Sequence, residues 1–591
     1  MKAKFFIPFF ILLATGCHQT QQNDAGLNGD QITLSEQAPL LSSTIHIPLS
    51  KDLDTKEDKS LITNLELLGR LWGFLKYHHP EVGKGSYDWD DELFQMLPQY
   101  IEVKSTVERD EFLLHWIEKY GEIPECATCT ETPADAFLKP DFTWVERSDM
   151  GALLKVKIKE IYQKRHQGEH YYIELNPYAG NPVFRNENPY SQEKNPDTGL
   201  RLLALYRYWN MIQYFYPSKY LTDKDWNDVL KEYIPKFVMA ETALQYQLAV
   251  LQLTVEINDT HAYVREYKQI DSLRGSMRAP FRLTYIENRW VVTDNIVPNI
   301  YSPLKPGDII THINGKKIES IVDSIKAFYP ASNEAAKMRI LASGLLRSRE
   351  KTIDIDYISS NHTAHRERLW LVNGDIYAMS PSLTSTSDSV CYKTLEIGQN
   401  EFIGYITLKT IKDGDINKMM PLFMESRGII IDIRDYPNLF VPFALGAFFI
   451  SEDRPFVKFT QGNVNNPGEF TFRSDYVIRK AKEPYKGKLV VIVNERTLSQ
   501  GEYTAMAFRA GDNTTIIGSQ TAGADGNISI IYFPGGLGTY ISGSGVYYPD
   551  GRETQRIGIV PDVEVKPTIQ GIREGRDELL ERAIEIIRES K

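Results

Sequence analysis

Hydrophobic positions recur at helical spacing up to about residue 265, at strand spacing from about 275 to 370, and in alternating strand and helix patterns after that. Between Leu244 and Val255 the apolar residues fall every three or four positions, which predicts a helix. Residues 275 to 370 read as β-rich, with short alternating runs and the turn signals Pro306-Gly307-Asp308 and Asn314-Gly315. From about 375 the runs lengthen and become continuous. Phe402 to Leu408, Gly428 to Arg434 and Leu489 to Val493 read as strands, the last two covered on both faces. Helical patterns at Ile416 to Glu425, from Val441, and at Tyr503 to Ala510 alternate with them. Thr515 to Gly518 and a series of Gly-punctuated short strands to Tyr548 follow. Such alternation predicts a largely parallel sheet with helices packed over it. Arg576 to Ser590 places Leu579, Leu580, Ala583, Ile584 and Ile587 on one stripe, a helix docked by its apolar face.

The helical half repeats itself. Arg70, Trp72, Tyr77, Pro80, Trp89, Asp91, Leu93 and Pro98 recur in register, without a gap, as Arg207, Trp209, Tyr214, Pro217, Trp226, Asp228, Leu230 and Pro235. Two copies are too few for a solenoid and predict duplicated helical hairpins, each a helix ended by Pro, a loop and a second helix. The second copy runs on to Asn258-Asp-Thr-His261, where the first has Pro124 at the matching place.

With 591 residues the chain exceeds one core, and its net charge of −11 argues against a nucleic-acid partner. The first residues form a targeting pattern: Lys2 and Lys4, an apolar run from Phe5 to Ala14, then Leu13-Ala-Thr-Gly-Cys17. That tail resembles a bacterial lipobox, which makes Cys17 the expected lipidation site and membrane anchor. A plain secretory signal or a buried helix is the alternative. Residues 18–58, polar and broken by Gly, Pro and Ser, read as a tether. In an exported chain, Cys126-Ala-Thr-Cys129 is expected to form a disulfide, since a zinc site wants a second cysteine pair. No metal or other cofactor is expected.

Ser499 is the strongest candidate for chemistry. It stands where the strand ending at Val493 turns into a helix, the end of an open α/β sheet where ligands bind and where free helical N–H groups favour negative charge. The turn after Asp432-Ile-Arg434 should end beside it. Backbone N–H groups of Asp435 or Tyr436, with that of Gln500, then form a candidate oxyanion hole. The competing reading is a capping box, because Ser499-Gln-Gly-Glu502 also spells one.

Two resemblances sharpen this. Leu304-Lys-Pro-Gly-Asp308-Ile-Ile, followed by Ile313-Asn-Gly315, resembles PDZ domains of bacterial proteases, which add extended peptides to a sheet edge. Ile431-Asp-Ile-Arg434, Ser499-x-x-Glu502, Gly518-x-x-Thr521-x-Gly523, Pro549-Asp-Gly551 and Gly558-Ile-Val-Pro561-Asp562 follow in the order of another family. They resemble the C-terminal-processing, tail-specific and tricorn-type serine peptidases, and the resemblance implies Ser499 as nucleophile. The lysine base of the bacterial processing enzymes is absent, for its place holds Ala524. The tricorn-like branch uses a histidine N-terminal to the PDZ domain, and the resemblance carries that role to His261. A third member falls near Gln555 by spacing or Glu553 by chemistry.

The expected architecture is a multidomain α/β protein. It comprises a lipoprotein signal at 1–17, a linker at 18–58, helical repeats at 59–195 and 196–265, a PDZ-like β-domain at 266–374, and an α/β peptidase core with a C-terminal helix at 375–591. The expected function is a serine endopeptidase of the bacterial cell envelope, lipid-anchored and exported, acting on peptides or unfolded tails through an acyl-enzyme. A catalytically inactive PDZ-containing peptide-binding lipoprotein is the alternative, and a hydrolase of non-peptide esters the third.

Overall fold

A computed structural model describes residues 45–297, 300, 302–374, 390–399 and 401–590. The targeting pattern with Cys17 and most of the expected tether lie outside the described residues. Among those described, no helix is long and apolar enough to cross a membrane.

The duplicated helical unit is three helices per copy: α1 (Lys56–His78), α2 (Trp89–Tyr100) and α3 (Thr106–Glu118), then α4 (Thr198–Phe215), α5 (Trp226–Val238) and α6 (Ala243–Val255). The repeated tryptophans explain why the hairpin repeats. Trp72 Nε1 donates to the Trp89 carbonyl and Trp89 Nε1 to that of Trp72, both at 3.0 Å. Trp209 and Trp226 exchange the same pair at 2.8 and 3.1 Å. Each buried indole N–H thus finds a backbone carbonyl on the partner helix. Equivalent positions of the copies also meet: Gly69 lies against the Tyr206 ring and Gly73 against the Asn210 amide, contacts that a Cβ would block. The offset is that separating Trp72 from Trp209, so α1 and α4 cross about a local pseudo-twofold.

The expected tether ends too late. Ile45 and Ile47 are buried in the helical core, and Thr55 caps α1 at Lys56. The Ser50 amide and hydroxyl both donate to Asp58. The folded region therefore includes the last part of 18–58, held by two isoleucines too sparse to register as a pattern.

Between the helical and α/β regions, β1 (Phe281–Ile286), β2 (Arg289–Asn295), β3 (Ile309–Ile313), β4 (Thr352–Ile358) and β5 (Ala364–Trp370) form an antiparallel sheet in the order β5-β4-β3-β2-β1. Helix α7 (Glu334–Gly344) packs on β1 and sends Leu341 and Ala342 into this module's own core.

The α/β region contains β6 (Tyr392–Gly398), β7 (Glu401–Thr407), β8 (Gly428–Asp432), β9 (Lys488–Val493), α8 (Gln500–Arg509) and β10 (Thr514–Gly518). A hairpin of β11 (Ile528–Phe533) and β12 (Leu537–Ser542), then β13 (Val563–Glu564) and α9 (Glu578–Glu589), complete it. The sheet order is β6-β7-β8-β9-β10-β13, with β6 antiparallel to β7 and the remaining pairs parallel. Continuous apolar strands feed two cores by alternation. Ile429, Ile431, Leu489 and Val491 face α8, while Ile430, Val490 and Ile492 face α9. The hairpin leaves this region altogether: Ile531, Phe533, Leu537 and Ile541 are buried in the core of the helical repeats. The Cys126–Cys129 disulfide is present. The expected helix from Val441 is five residues long, Pro442–Gly446, and continues as a short 3-10 turn.

Candidate active site

The elbow at Ser499 comes first. Strands β8 and β9 run parallel with Asp432 opposite Ile492, so the turns that follow them emerge side by side. Ser499 has φ 54° and ψ −120°, far from the extended backbone of an ordinary helix N-cap. A non-glycine residue held there costs on the order of 1–3 kcal/mol, and such strain collects where a side chain must be aimed. The sharp strand-to-helix turn that exposes a nucleophilic serine has this character. The backbone thus decides against reading Ser499 as merely a cap.

The strain is held by Glu502. Its Oε2 accepts the amides of Ser499 (3.2 Å) and Ala524 (3.0 Å), while Oε1 accepts the Gly523 amide (2.8 Å) and the Thr521 hydroxyl. The Thr521 oxygen in turn accepts the Ile559 amide at 2.7 Å. One fully buried carboxyl therefore joins the elbow to the turn after β10 and, through Thr521, to the segment at Gly558-Ile559. Burial pushes Glu502 up to about 7, while the Thr521 hydroxyl and the three amides pull it down. Beside it the buried Asp525 is pushed well above the carboxylate range by burial and by the Glu502 charge.

The expected oxyanion loop wraps the elbow. Thr497 Oγ1 donates to the Ile433 carbonyl at 2.8 Å, and Gln500 Nε2 to that of Leu439 at 2.9 Å. The Asp435 carboxylate pairs with Arg496 and lies 3.4 Å from Lys409 Nζ. Two cations thus offset a negative charge that would otherwise oppose an oxyanion on this loop. Gln500 opens α8, where the first N–H groups have no acceptor within the helix. The Tyr436 side chain is 40% exposed.

His261 approaches from the helical side. It follows α6 and is buried, and burial depresses its pKa against the opposing pull of Asp259. Thr260 Oγ1 donates to the Ala522 carbonyl at 3.1 Å, and the Ser499 amide to that of Ala524 at 3.0 Å. Both arms therefore seat on one short turn. The imidazole itself bonds elsewhere: Nδ1 lies 2.9 Å from Ser542 Oγ, and among the described residues no hydrogen bond joins the ring to Ser499. Ser542 Oγ donates to Asp259 Oδ1 at 3.1 Å.

The residues expected as a third member have no hydrogen bond to the His261 ring among the described residues. Gln555 Nε2 donates to the Tyr216 hydroxyl at 3.4 Å, and Glu553 accepts from Tyr220 at 2.6 Å. Ser542 and Asp259, which the ring does meet, escaped sequence reasoning. Their one signal was the Asp two places before His261. Ala524 is fully buried, with its N–H and carbonyl both engaged by the elbow. Among the described residues no cluster of three His, Cys, Asp or Glu side chains is arranged to hold a metal.

Residues 402–565, which carry β7 through β13 and the elbow, match the model of peptidase family S41. The match covers less than half of the chain, residues 402–565 of 591. No curated protein matches the chain in sequence. Mature CPAF complexed with lactacystin superposes with a TM-score of 0.51 at 14% identity, over 66% of this chain and 98% of that one. A putative peptidase from Parabacteroides merdae ATCC 43184 gives 0.41 at 17% identity, over 66% and 97%. The photosystem II D1 C-terminal processing protease gives 0.39 at 19% identity, over 64% and 98%. The S41 match supports a peptidase in general terms. The similarity to CPAF extends the fold beyond the S41 segment.

Proposed function

We propose that the chain is a serine endopeptidase cleaving peptides or unfolded protein tails, with Ser499 as nucleophile and His261 as general base. The observation that carries this reading is the strained Ser499 backbone, stitched by a buried carboxyl at the end of two parallel strands. In the proposed cycle His261 Nε2 takes the Ser499 proton as Oγ attacks the scissile carbonyl. The N–H groups of Gln500 and of the Asp435–Tyr436 turn receive the oxyanion. The tetrahedral intermediate expels the amine, which leaves with the proton held by His261, and an acyl-enzyme remains. Water, deprotonated by the same imidazole, releases the acid. We read the β1–β5 sheet with α7 as a PDZ-like unit that presents extended peptide to this site, and Cys17 as the anchor of an exported lipoprotein.

A second reading, an inactive peptide-binding scaffold, draws support from Ala524 at the lysine's place and from an imidazole bonded to Ser542 rather than Ser499. A complex peptide library separates the two. The native chain should produce defined cleavage sites by mass spectrometry and Ser499→Ala none. Cleavage by neither favours the scaffold, and cleavage by both refutes the nucleophile assignment.

A further inference from the structure

We infer that Asp259 and Ser542 are the positioning residues of the base: they keep the His261 proton on Nδ1 and so leave Nε2 as the acceptor. The inference rests on the reading of His261 as the base and adds the device that makes it one.

Asp259 is fully buried and acts only as an acceptor: Oδ1 takes the His261 amide at 2.9 Å and Oδ2 the Ser542 amide at 2.7 Å. Ser542 has a single hydroxyl proton, and it is directed at Asp259 Oδ1. Toward His261 its oxygen can therefore only accept, so the proton between them belongs to Nδ1. A neutral imidazole with Nδ1–H carries its lone pair on Nε2. When Nε2 gains a proton, the new charge lies close to a carboxylate, for His261 Nδ1 and Asp259 Oδ1 are 3.7 Å apart. That arrangement supplies the orientation and counter-charge of a triad carboxylate through one intervening hydroxyl.

The fold has built this contact across 281 positions of sequence. Asp259 and His261 follow α6 of the helical region, whereas Ser542 ends β12, contributed by the S41 segment. They meet because the β11–β12 hairpin is embedded in the helical core. The other titratable neighbours are Tyr208 of α4 and Tyr216 just after it, whose phenols burial keeps protonated and which feel the Asp259 charge. Among the described residues no lysine or arginine forms an ion pair with Asp259.

The test is NMR of the full chain carrying 15N-labelled histidine in a Ser499→Ala background, with the His261 signal identified by its loss in His261→Gln. Kinetics are run in parallel with Ser499 intact. The expected ring is the Nδ1–H tautomer. Asp259→Asn places an amide donor against Ser542 Oγ and turns the hydroxyl proton toward Nδ1, so the ring should switch to Nε2–H. The accompanying loss of kcat should be about 10²–10⁴-fold with KM little changed, as for a wrong tautomer. Ser542→Ala should weaken the tautomer preference and lower kcat, and Ser542→Thr should restore most of it. That pair carries the test if Asp259→Asn fails to fold. A wild-type Nε2–H ring overturns the inference, as does an Asp259→Asn ring that stays Nδ1–H, or equal losses in Ser542→Ala and Ser542→Thr. If the tautomer switches while kcat is unchanged, the reading of His261 as base is what fails. If His261→Ala abolishes turnover while the tautomer ignores Asp259, the base stands and the positioning pair is refuted.

Discussion

Gly558→Ala tests whether the Glu502 clasp holds the elbow. Gly558 has φ 71°, where an L residue is strained by about 1–2 kcal/mol. A Cβ there would sit 2.9 Å from Glu502 Oε1 and closer still to Thr521 Oγ1, the two atoms that bond each other at the centre of the clasp. Ordinary contact demands that they withdraw by about an ångström, at an overpacking cost of about 1–3 kcal/mol. The total is about 2–5 kcal/mol. Gly551→Ala is the control: its φ is 88°, yet nothing lies within 4 Å of its Cβ, so it should cost the backbone term alone. The clasp adds a second expectation, because Glu502 holds the Ser499 amide and a displacement of this size at a nucleophile costs about 10²-fold in rate. Urea unfolding midpoints and kcat for the two variants read both effects. If Gly558→Ala costs no more stability than Gly551→Ala and leaves kcat unchanged, the clasp does not support the elbow.

Two further expectations concern protons. Burial holds the His261 pKa below its ordinary value of about 6.5, so kcat/KM should rise with pH along a limb centred below that value as the neutral imidazole appears. Activity is lost as pH falls, and a limb centred above 6.5 contradicts the assignment. In the helical region burial pushes His78 and His170 down to about 3 and His79 to about 4. Because the folded state resists protonating them, their stabilising contribution is complete above the unfolded pKa of about 6.5 and is lost as pH falls toward 4 and 3. The loss amounts to about 1.4 kcal/mol per pH unit for each ring. Replacing His79 with Asn should flatten the fall in urea midpoint between pH 7 and pH 5, and an unchanged slope would refute that account.

The sequence carried the parts of the fold whose signals are local. The repeated tryptophans marked the hairpins because each indole needs a carbonyl on its partner helix. The unbroken apolar runs at Gly428–Asp432 and Lys488–Val493 marked strands buried on both faces. Ser499 was visible because strand, turn and helix adjoin in sequence, although Glu502 looked like half of a capping box. Its side chain does accept the Ser499 amide, but also two amides and a hydroxyl more than 18 residues away. What stayed hidden depends on distant partners. Alternation along Ile528–Ser542 predicts strands but cannot say that their apolar face enters another region's core. The meeting of Ser542 with His261 follows from that placement alone. Spacing pointed to Gln555 and chemistry to Glu553, whose side chains bond Tyr216 and Tyr220.

The central claim is that Ser499 is an activated nucleophile in the folded chain. A fluorophosphonate probe, followed by peptide mapping, tests it most directly. The account predicts a single phosphonylated peptide with the adduct on Ser499, formed faster as pH rises through the His261 limb and lost in His261→Ala. An intact folded chain that remains unlabelled at Ser499, or labels as fast without His261, would contradict it.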